Sequence, residues 1–162
     1  MNQPPLYMDK KSTQTLREGL IEYYACNPHV TNPGTQPTHF GKILRAHDVG
    51  HVIYGCDTGM HDELKILPLF WWTSECTFRT YLKMKNSPAV DVMYDDMIRE
   101  KGALWLYGAV LSVLPSVLID LIPIWIRTRN RQKLLPFLDF EPLLDRSLLD
   151  IRQEFDLISL LP

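Results

Sequence analysis

The sequence predicts an all-α protein, and three features of its 162 residues support this fold class. Leucine is abundant and recurs at helical spacing, whereas runs of β-branched residues are few. Only 8 glycines are present, and no alternating strand pattern extends beyond a few residues. We therefore expect one helical domain of about six or seven helices over residues 12–162, preceded by an extended arm at residues 1–11.

The composition excludes several classes of protein. A hydrophobic content of 46% with 22% charged residues excludes a disordered chain and suffices for a core without disulfides. The net charge of -2 and the sequence pI of about 6.2 argue against a basic nucleic-acid binder, so we expect no nucleic-acid partner. Three cysteines without a C-x-x-C pair indicate reduced thiols, and the first 11 residues lack the apolar stretch of a signal peptide. These features favour a cytoplasmic location.

Capping residues, prolines and apolar periodicity place the helices. They predict helices over residues 12–26, 38–55, 60–84, 88–101 and 142–157, with a further apolar segment over 103–126. Ser12 or Thr13 is expected to cap the first helix, and Gly55 to end the second. Pro68 is expected to kink the third helix or to mark its start.

The apolar segment raises the question of a membrane span. Residues 103–119 carry no charge and would form roughly 25 Å of helix, shorter than the bilayer core of about 30 Å. A longer span would include Asp120, and Pro115 and Pro123 should kink the helix. We expect a buried, kinked core helix rather than a span. A third interpretation is a lipid-tail slot that opens at a membrane surface, where the basic run after residue 126 would meet phosphate or headgroups.

The candidate site lies on the second helix. His47 and His51 are four residues apart and share one face, with Asp48 beside them. Glu63 follows a short turn that should fold the next helix back against this face. Two imidazoles with carboxylates suit Zn²⁺ or Fe²⁺. Gly50 is unfavourable inside a helix and suggests a close approach by another group.

The role of Asp48 stays open in the sequence. If Asp48 ligates, four protein groups close the site, as in structural zinc centres. If it orients a histidine from outside, three ligands leave an open position, as in catalytic centres. His61 and Asp62 are candidates for outer partners of the ligands.

The pattern His47-Asp48-x2-His51-x11-Glu63 resembles the signature of the coenzyme Q biosynthesis family called Coq-four. Arg45-Ala46 before the motif and the run from Tyr54 to Thr58 after it are also similar to the family, and the likeness covers residues 38–101. The resemblance implies an all-helical protein peripheral to a membrane, with a metal, usually zinc, held by His47, Asp48, His51 and Glu63. It further implies a role in quinone biosynthesis, either organising other enzymes around polyisoprenoid intermediates or catalysing oxidative decarboxylation at ring carbon C1.

These implications give a working hypothesis for the ligands. The cofactor would be Zn²⁺, with Fe²⁺ and Mg²⁺ as alternatives. Partners would be a polyisoprenoid quinone precursor, the inner face of a membrane and other quinone-biosynthesis enzymes. The isoprenoid tail would run along Trp71, Trp72, Trp105, Leu118 and Ile122. A phosphate or headgroup would be held by Arg127, Arg129 and Arg131.

Two alternative functions remain. A metal-dependent phosphohydrolase of the His-Asp type would need His29 or His39 upstream and Asp91 or Asp95 downstream. A non-catalytic isoprenoid-lipid scaffold would use the metal only to pin two helices together. The apolar C-terminal residues 155–161 could also mediate a homodimer or a membrane contact.

Overall fold

The computed structural model describes residues 4–30, 32, 39–80, 95, 98–129 and 133–161, and this part of the chain folds as helices without a β-strand. The all-α prediction is therefore confirmed. The α-helices whose bounds lie within these residues are α1 (Leu16–Cys26), α2 (His39–Tyr54), α3 (Met60–Thr73), α4 (Ala103–Thr128) and α5 (Leu148–Glu154), and residues 78–80 and 98–101 are also helical. Short 3₁₀ helices cover Leu6–Met8, Glu141–Leu143 and Ile158–Leu160.

The N-terminal segment differs from the predicted extended arm. Leu6–Met8 forms a 3₁₀ turn, and Tyr7 is 1% exposed in the core against α1 and α2. The first helix begins at Leu16 rather than Ser12, because Thr15 and Glu18 form a reciprocal capping box. The sequence correctly predicted a hydroxyl residue as the N-cap, but Ser12 and Thr13 lie three and two residues before the observed cap, Thr15.

The helix α2 lies at the centre of the described body, between α1 and α3. It ends at Gly55, which adopts a positive φ of 62°, as the sequence predicts. Gly19 on α1 has no room for a side chain, because an added Cβ would lie 2.7 Å from Cγ1 of Val52. This glycine therefore sets the close approach of α1 to α2.

The helix α3 is shorter than predicted and ends at Thr73 instead of residue 84. It continues through Pro68 without interruption. The hydroxyls of Thr73 and Ser74 donate to carbonyls in the last turn, and backbone bonds to Leu135 then redirect the chain. Residues 81–84 and most of the predicted 88–101 helix lie outside the described residues.

The apolar helix α4 contradicts the prediction of a buried core helix. It runs through Pro115 and Pro123 as one helix of 26 residues, and its most apolar 18-residue window has a mean hydropathy of 2.1 but is only 11% buried. Among the described residues it is the one helix long and apolar enough to cross a membrane by length and composition. It packs on α3 by a single stripe that includes Leu106, Val117 and Ile124.

The C-terminal residues complete the core rather than an external contact surface. The predicted 142–157 helix is replaced by a 3₁₀ turn and α5, and Leu157, Leu160 and Leu161 are buried. The suggestion that the tail mediates a dimer or membrane contact is therefore wrong, because its apolar side chains are used within the chain.

Candidate metal centre

Three ligand-type side chains converge between α2 and α3. His47 and His51 lie one helical turn apart on α2, and Glu63 lies in the first turn of α3. Nε2 of His47 lies 3.4 Å from Oε2 of Glu63, and Nε2 of His51 lies 3.2 Å from Oε1. One ligand atom from each residue falls within 4.8 Å of the other two, so the cluster could hold a metal ion.

The turn between the helices delivers Glu63 to this face. After Gly55 ends α2, the backbone N–H of Asp57 donates to the carboxylate of Asp62, and that of Gly59 donates to Asp57. The carboxylates of Asp62 and Glu63 also lie in the first turn of α3, where the helix dipole favours negative charge. The predicted fold-back of α3 against α2 therefore has a local cause.

The dimensions of the cluster suit a small divalent ion. Ligands about 2.0–2.2 Å from a tetrahedral metal lie about 3.3 Å from one another. The nitrogen–oxygen distances of 3.2 and 3.4 Å, which involve the two different oxygens of Glu63, are close to this spacing. His51 is fully buried, its Nδ1 has no hydrogen-bond partner, and its Nε2 lies 3.2 Å from the Glu63 carboxylate without a well-aligned hydrogen bond. Such an unsatisfied buried imidazole is costly, and a metal bound at Nε2 would relieve part of that cost.

Charges around the cluster raise one pKa and lower another. Burial alone would raise the pKa of Glu63, but the two neighbouring imidazoles outweigh it and lower the pKa to about 2. Burial would lower the pKa of His47, but the carboxylates of Asp48 and Glu63 raise it to about 9. Without a metal, the site therefore holds an ionised carboxylate beside a protonated His47.

Asp48 lies behind the cluster and is not among its three ligands. Its Oδ2 accepts a hydrogen bond of 2.8 Å from the Tyr24 hydroxyl, and its Oδ1 lies 3.8 Å from Nδ1 of His47. Burial raises the pKa of Tyr24, so this hydroxyl stays protonated as a donor. Nδ1 of His47 faces Asp48 and Nε2 faces Glu63, an orientation typical of a metal-binding histidine with an outer carboxylate.

Aromatic residues that the sequence analysis did not single out fix the position of His51. The imidazole stacks on Tyr23 at a centroid distance of 5.5 Å and meets the His47 ring edge-on at 4.6 Å. Gly50 receives the Phe70 ring, since an added Cβ would lie 2.1 Å from its Cζ. The predicted close approach at Gly50 is thus an aromatic side chain. Nothing in the sequence spacing of Tyr23 and Tyr24 marks them as neighbours of the histidines.

Two predicted outer partners face a different helix. Nδ1 of His61 lies 3.4 Å from Asp62, and its Nε2 lies 3.2 Å from Asp120 on α4. The carboxylate of Asp62 also accepts from Lys65 at 2.7 Å. These residues join α3 to α4 and do not support the histidine pair.

The residues predicted to contact an isoprenoid tail lie on two helices. Trp71 and Trp72 are half-buried on α3, and Trp71 meets Phe78 edge-on. On α4, the exposed side chains are Trp105, Leu118 and Ile122, at 49%, 53% and 59% exposure. These three lie on the outer surface of the helix rather than around an internal slot.

The basic residues predicted to hold a phosphate or headgroup follow the end of α4. Arg127 and Arg129 are exposed, and Arg127 donates to the Ser159 carbonyl. Arg131 lies outside the described residues. Of the residues that the phosphohydrolase alternative requires, His29 and Asp95 are exposed, and Asp91 and the His39 side chain are not described.

The fold and the site together define a class: an all-helical protein with a two-histidine, one-glutamate cluster between two packed helices. A scan against protein-family models and searches of curated proteins and of solved structures found no match to this chain.

Proposed function

We propose that this protein binds a divalent metal and acts in the biosynthesis of a ubiquinone-like quinone, on the aromatic head of a polyisoprenoid precursor at a membrane surface. The observation that carries the proposal is the cluster built by the His47-Asp48-x2-His51-x11-Glu63 pattern. In this cluster, the buried Nδ1 of His51 lacks a hydrogen-bond partner, and its Nε2 lies beside an ionised Glu63.

The ligand set favours Zn²⁺, with Fe²⁺ and Mg²⁺ as alternatives. When bound, the metal would supply a Lewis acid that polarises an oxygen of the aromatic acid. The hydrogen bond from Tyr24 occupies one oxygen of Asp48, which supports the version with three protein ligands. The His47 and Glu63 side chains are 29% and 37% exposed, so an oxygen ligand can approach this side of the cluster.

The protein's own residues would bind and orient the substrate. The imidazole of His51 stacks on Tyr23, and the Asp48 carboxylate, 3.8 Å from Nδ1 of His47, would orient that ring. The isoprenoid tail would lie along the apolar surface of α4, where Leu118 and Ile122 are exposed. Arg127 and Arg129 would contact a phosphate or headgroup, which is consistent with a location at the inner face of a membrane beside other quinone-biosynthesis enzymes.

Two versions of this function differ in whether a reaction occurs. As an oxidative decarboxylase, the protein would replace the ring carboxyl by a hydroxyl and release CO₂. This reaction requires O₂, two protons and two electrons from an external reductant, and it also yields water. As a scaffold, the protein would bind the same precursor without turnover and present it to other enzymes.

The test is an assay with a prenylated 4-hydroxybenzoic acid in detergent micelles. The metal-loaded chain is supplied with O₂ and a reductant, CO₂ and hydroxylated product are quantified, and binding is measured separately. Glu63→Gln removes a ligand carboxylate. Glu75→Gln is the control, because it makes the same substitution at an exposed glutamate that follows the end of α3. We expect binding that Glu63→Gln weakens and Glu75→Gln preserves. Turnover would assign the enzyme version, and binding without turnover the scaffold. The absence of both would overturn the proposal.

A further inference from the structure

The helix α4 presents an unusually broad apolar surface. At 100° per residue, its buried stripe is narrow, and the exposed positions cover an arc of about 220°. The large apolar side chains on this arc are Leu104, Trp105, Tyr107, Leu111, Leu118, Ile119, Ile122, Trp125 and Ile126, each between 49% and 91% exposed. We call these residues the α4 face. An apolar surface of this extent is rare on a soluble monomer and marks a binding surface.

Two serine hydroxyls and the Asp120 carboxylate on α4 have partners within the protein. The hydroxyls of Ser112 and Ser116 each donate at 2.7 Å to a backbone carbonyl three residues earlier. The single charged residue between positions 103 and 126 is Asp120. It lies about 60° from the centre of the buried stripe and pairs with His61 of α3 at 3.2 Å. The Asp120 carboxylate therefore lies at the margin of the α4 face, beside the imidazole of His61, and not among the exposed apolar side chains.

Both ends of the α4 face combine an aromatic ring with positive charge. At one end, Nζ of Lys101 lies 4.7 Å from the centre of the Trp105 ring. At the other end, Trp125 is 51% exposed, and Arg127 and Arg129 follow it. Tryptophan beside lysine or arginine is typical of protein segments at the boundary between acyl chains and headgroups. The cations complement anionic headgroups.

We propose that α4 is a membrane-docking helix that lies in the plane of one leaflet of an anionic bilayer, with the α4 face in the acyl chains. This inference deepens the membrane association of the proposed function by naming its surface and orientation, and it requires no metal. Lipid fits this surface better than a second copy of the chain does. One partner helix would cover only a narrow strip of α4, whereas acyl chains can cover the whole α4 face. An orientation in which α4 spans the bilayer is unfavourable. Because α3 packs along the buried stripe of α4, spanning would bring the charged first turn of α3, with Asp62 and Glu63, toward the hydrocarbon.

The first test is flotation of the full chain with vesicles of phosphatidylcholine and phosphatidylglycerol in a 7:3 ratio. We expect the wild type to float, with several-fold weaker partitioning to pure phosphatidylcholine. Leu111→Glu/Ile119→Glu should weaken partitioning at least about tenfold. The control Ile21→Glu changes an equally exposed residue on α1 and should float like the wild type. Circular dichroism verifies that each variant is folded.

Three results would overturn the proposal. One is a wild type that stays off the vesicles, and another is equal flotation of the α4 and α1 variants. The third is a lipid-free dimer, seen by light scattering, that Leu111→Glu/Ile119→Glu dissociates, since this would assign the α4 face to a second copy. A chain that binds metal and precursor but does not float overturns this inference alone.

The orientation is tested by nitroxide depth measurements on the vesicle-bound chain. In a Cys26→Ser background the remaining cysteines, Cys56 and Cys76, are buried, so labels can be placed at Leu104→Cys, Leu111→Cys and Ile122→Cys. These positions share one side of α4. Docking in the plane predicts similar depths for all three labels. A central label more than about 10 Å deeper than the outer two would show a spanning helix and overturn the proposed orientation.

Discussion

His51 is fully buried, and it contacts Tyr23, the edge of the His47 ring and Glu63. His51 lies one helical turn after His47, so the proximity of these two residues to each other and to Glu63 could be predicted from the sequence. The hydrogen bond between Tyr24 and Asp48 could not be predicted, because it depends on how α1 packs across α2. The interpretation of Asp48 as an orienting group rather than a ligand therefore rests on the tertiary structure and stays a prediction.

The proton on His47 predicts how metal binding depends on pH. Because the neighbouring carboxylates raise the pKa of His47 to about 9, the metal-free site is protonated at neutral pH, and a metal must displace this proton. Zn²⁺ or Co²⁺ affinity should rise by about tenfold per pH unit between pH 6.5 and 8.5 and level off above about 9. Competition with a chromophoric chelator measures this slope. Asp48→Asn should shift the levelling-off point to lower pH, and an affinity that is flat with pH would contradict the role given to His47.

At the scale of elements, the packing of α2 on α3 depends on Gly50. The Phe70 ring of α3 fills the space where a side chain at position 50 would begin. The sequence predicted a close approach here from the cost of glycine in a helix, but it could not say what approaches. For α4, too, the sequence could not predict what the helix contacts, because buried helices and lipid-facing helices have the same apolar composition. Only the position of α3 shows which narrow stripe is covered.

Replacing Gly50 with alanine should destabilise the protein despite the better helix propensity of alanine. An added Cβ 2.1 Å from Cζ of Phe70 forces the ring or the helix to move, at a cost of about 2 kcal/mol or more in the free energy of unfolding. Gly108→Ala is the matched control on α4, since a Cβ there meets nothing within 4 Å and should stabilise slightly. Urea unfolding of both variants measures the difference. Equal midpoints would show that the α2–α3 contact is looser than described.

For the molecule as a whole, Arg152 joins the two ends of the chain. Its fully buried guanidinium donates to the carbonyls of Tyr7 and Asp9 near the N-terminus and of Val52 and Ile53 at the end of α2. Burial lowers its pKa to about 10, so it remains charged at neutral pH. The sequence predicts only an extended arm at the N-terminus, because an arginine more than 140 residues away gives no local signal of this contact.

Removing this guanidinium should be among the most damaging substitutions in the chain. Arg152→Met removes the four hydrogen bonds to these carbonyls from the core and should lower the free energy of unfolding by about 3–5 kcal/mol. Arg17→Met removes an exposed arginine that pairs with Asp145, so its urea midpoint should stay near that of the wild type. Similar midpoints for the two variants would contradict the linking role of Arg152.

The central claim is that α2 and α3 together hold a metal, and elemental mass spectrometry of the purified chain tests it most directly. The protein is prepared without chelators, dialysed against Zn²⁺ and then freed of loosely bound ions, beside Glu63→Gln and the control Glu75→Gln. We predict close to one ion per chain in the wild type and in Glu75→Gln, and a large loss in Glu63→Gln. A wild type without bound metal after this loading, or an equal metal content in all three proteins, would contradict the account.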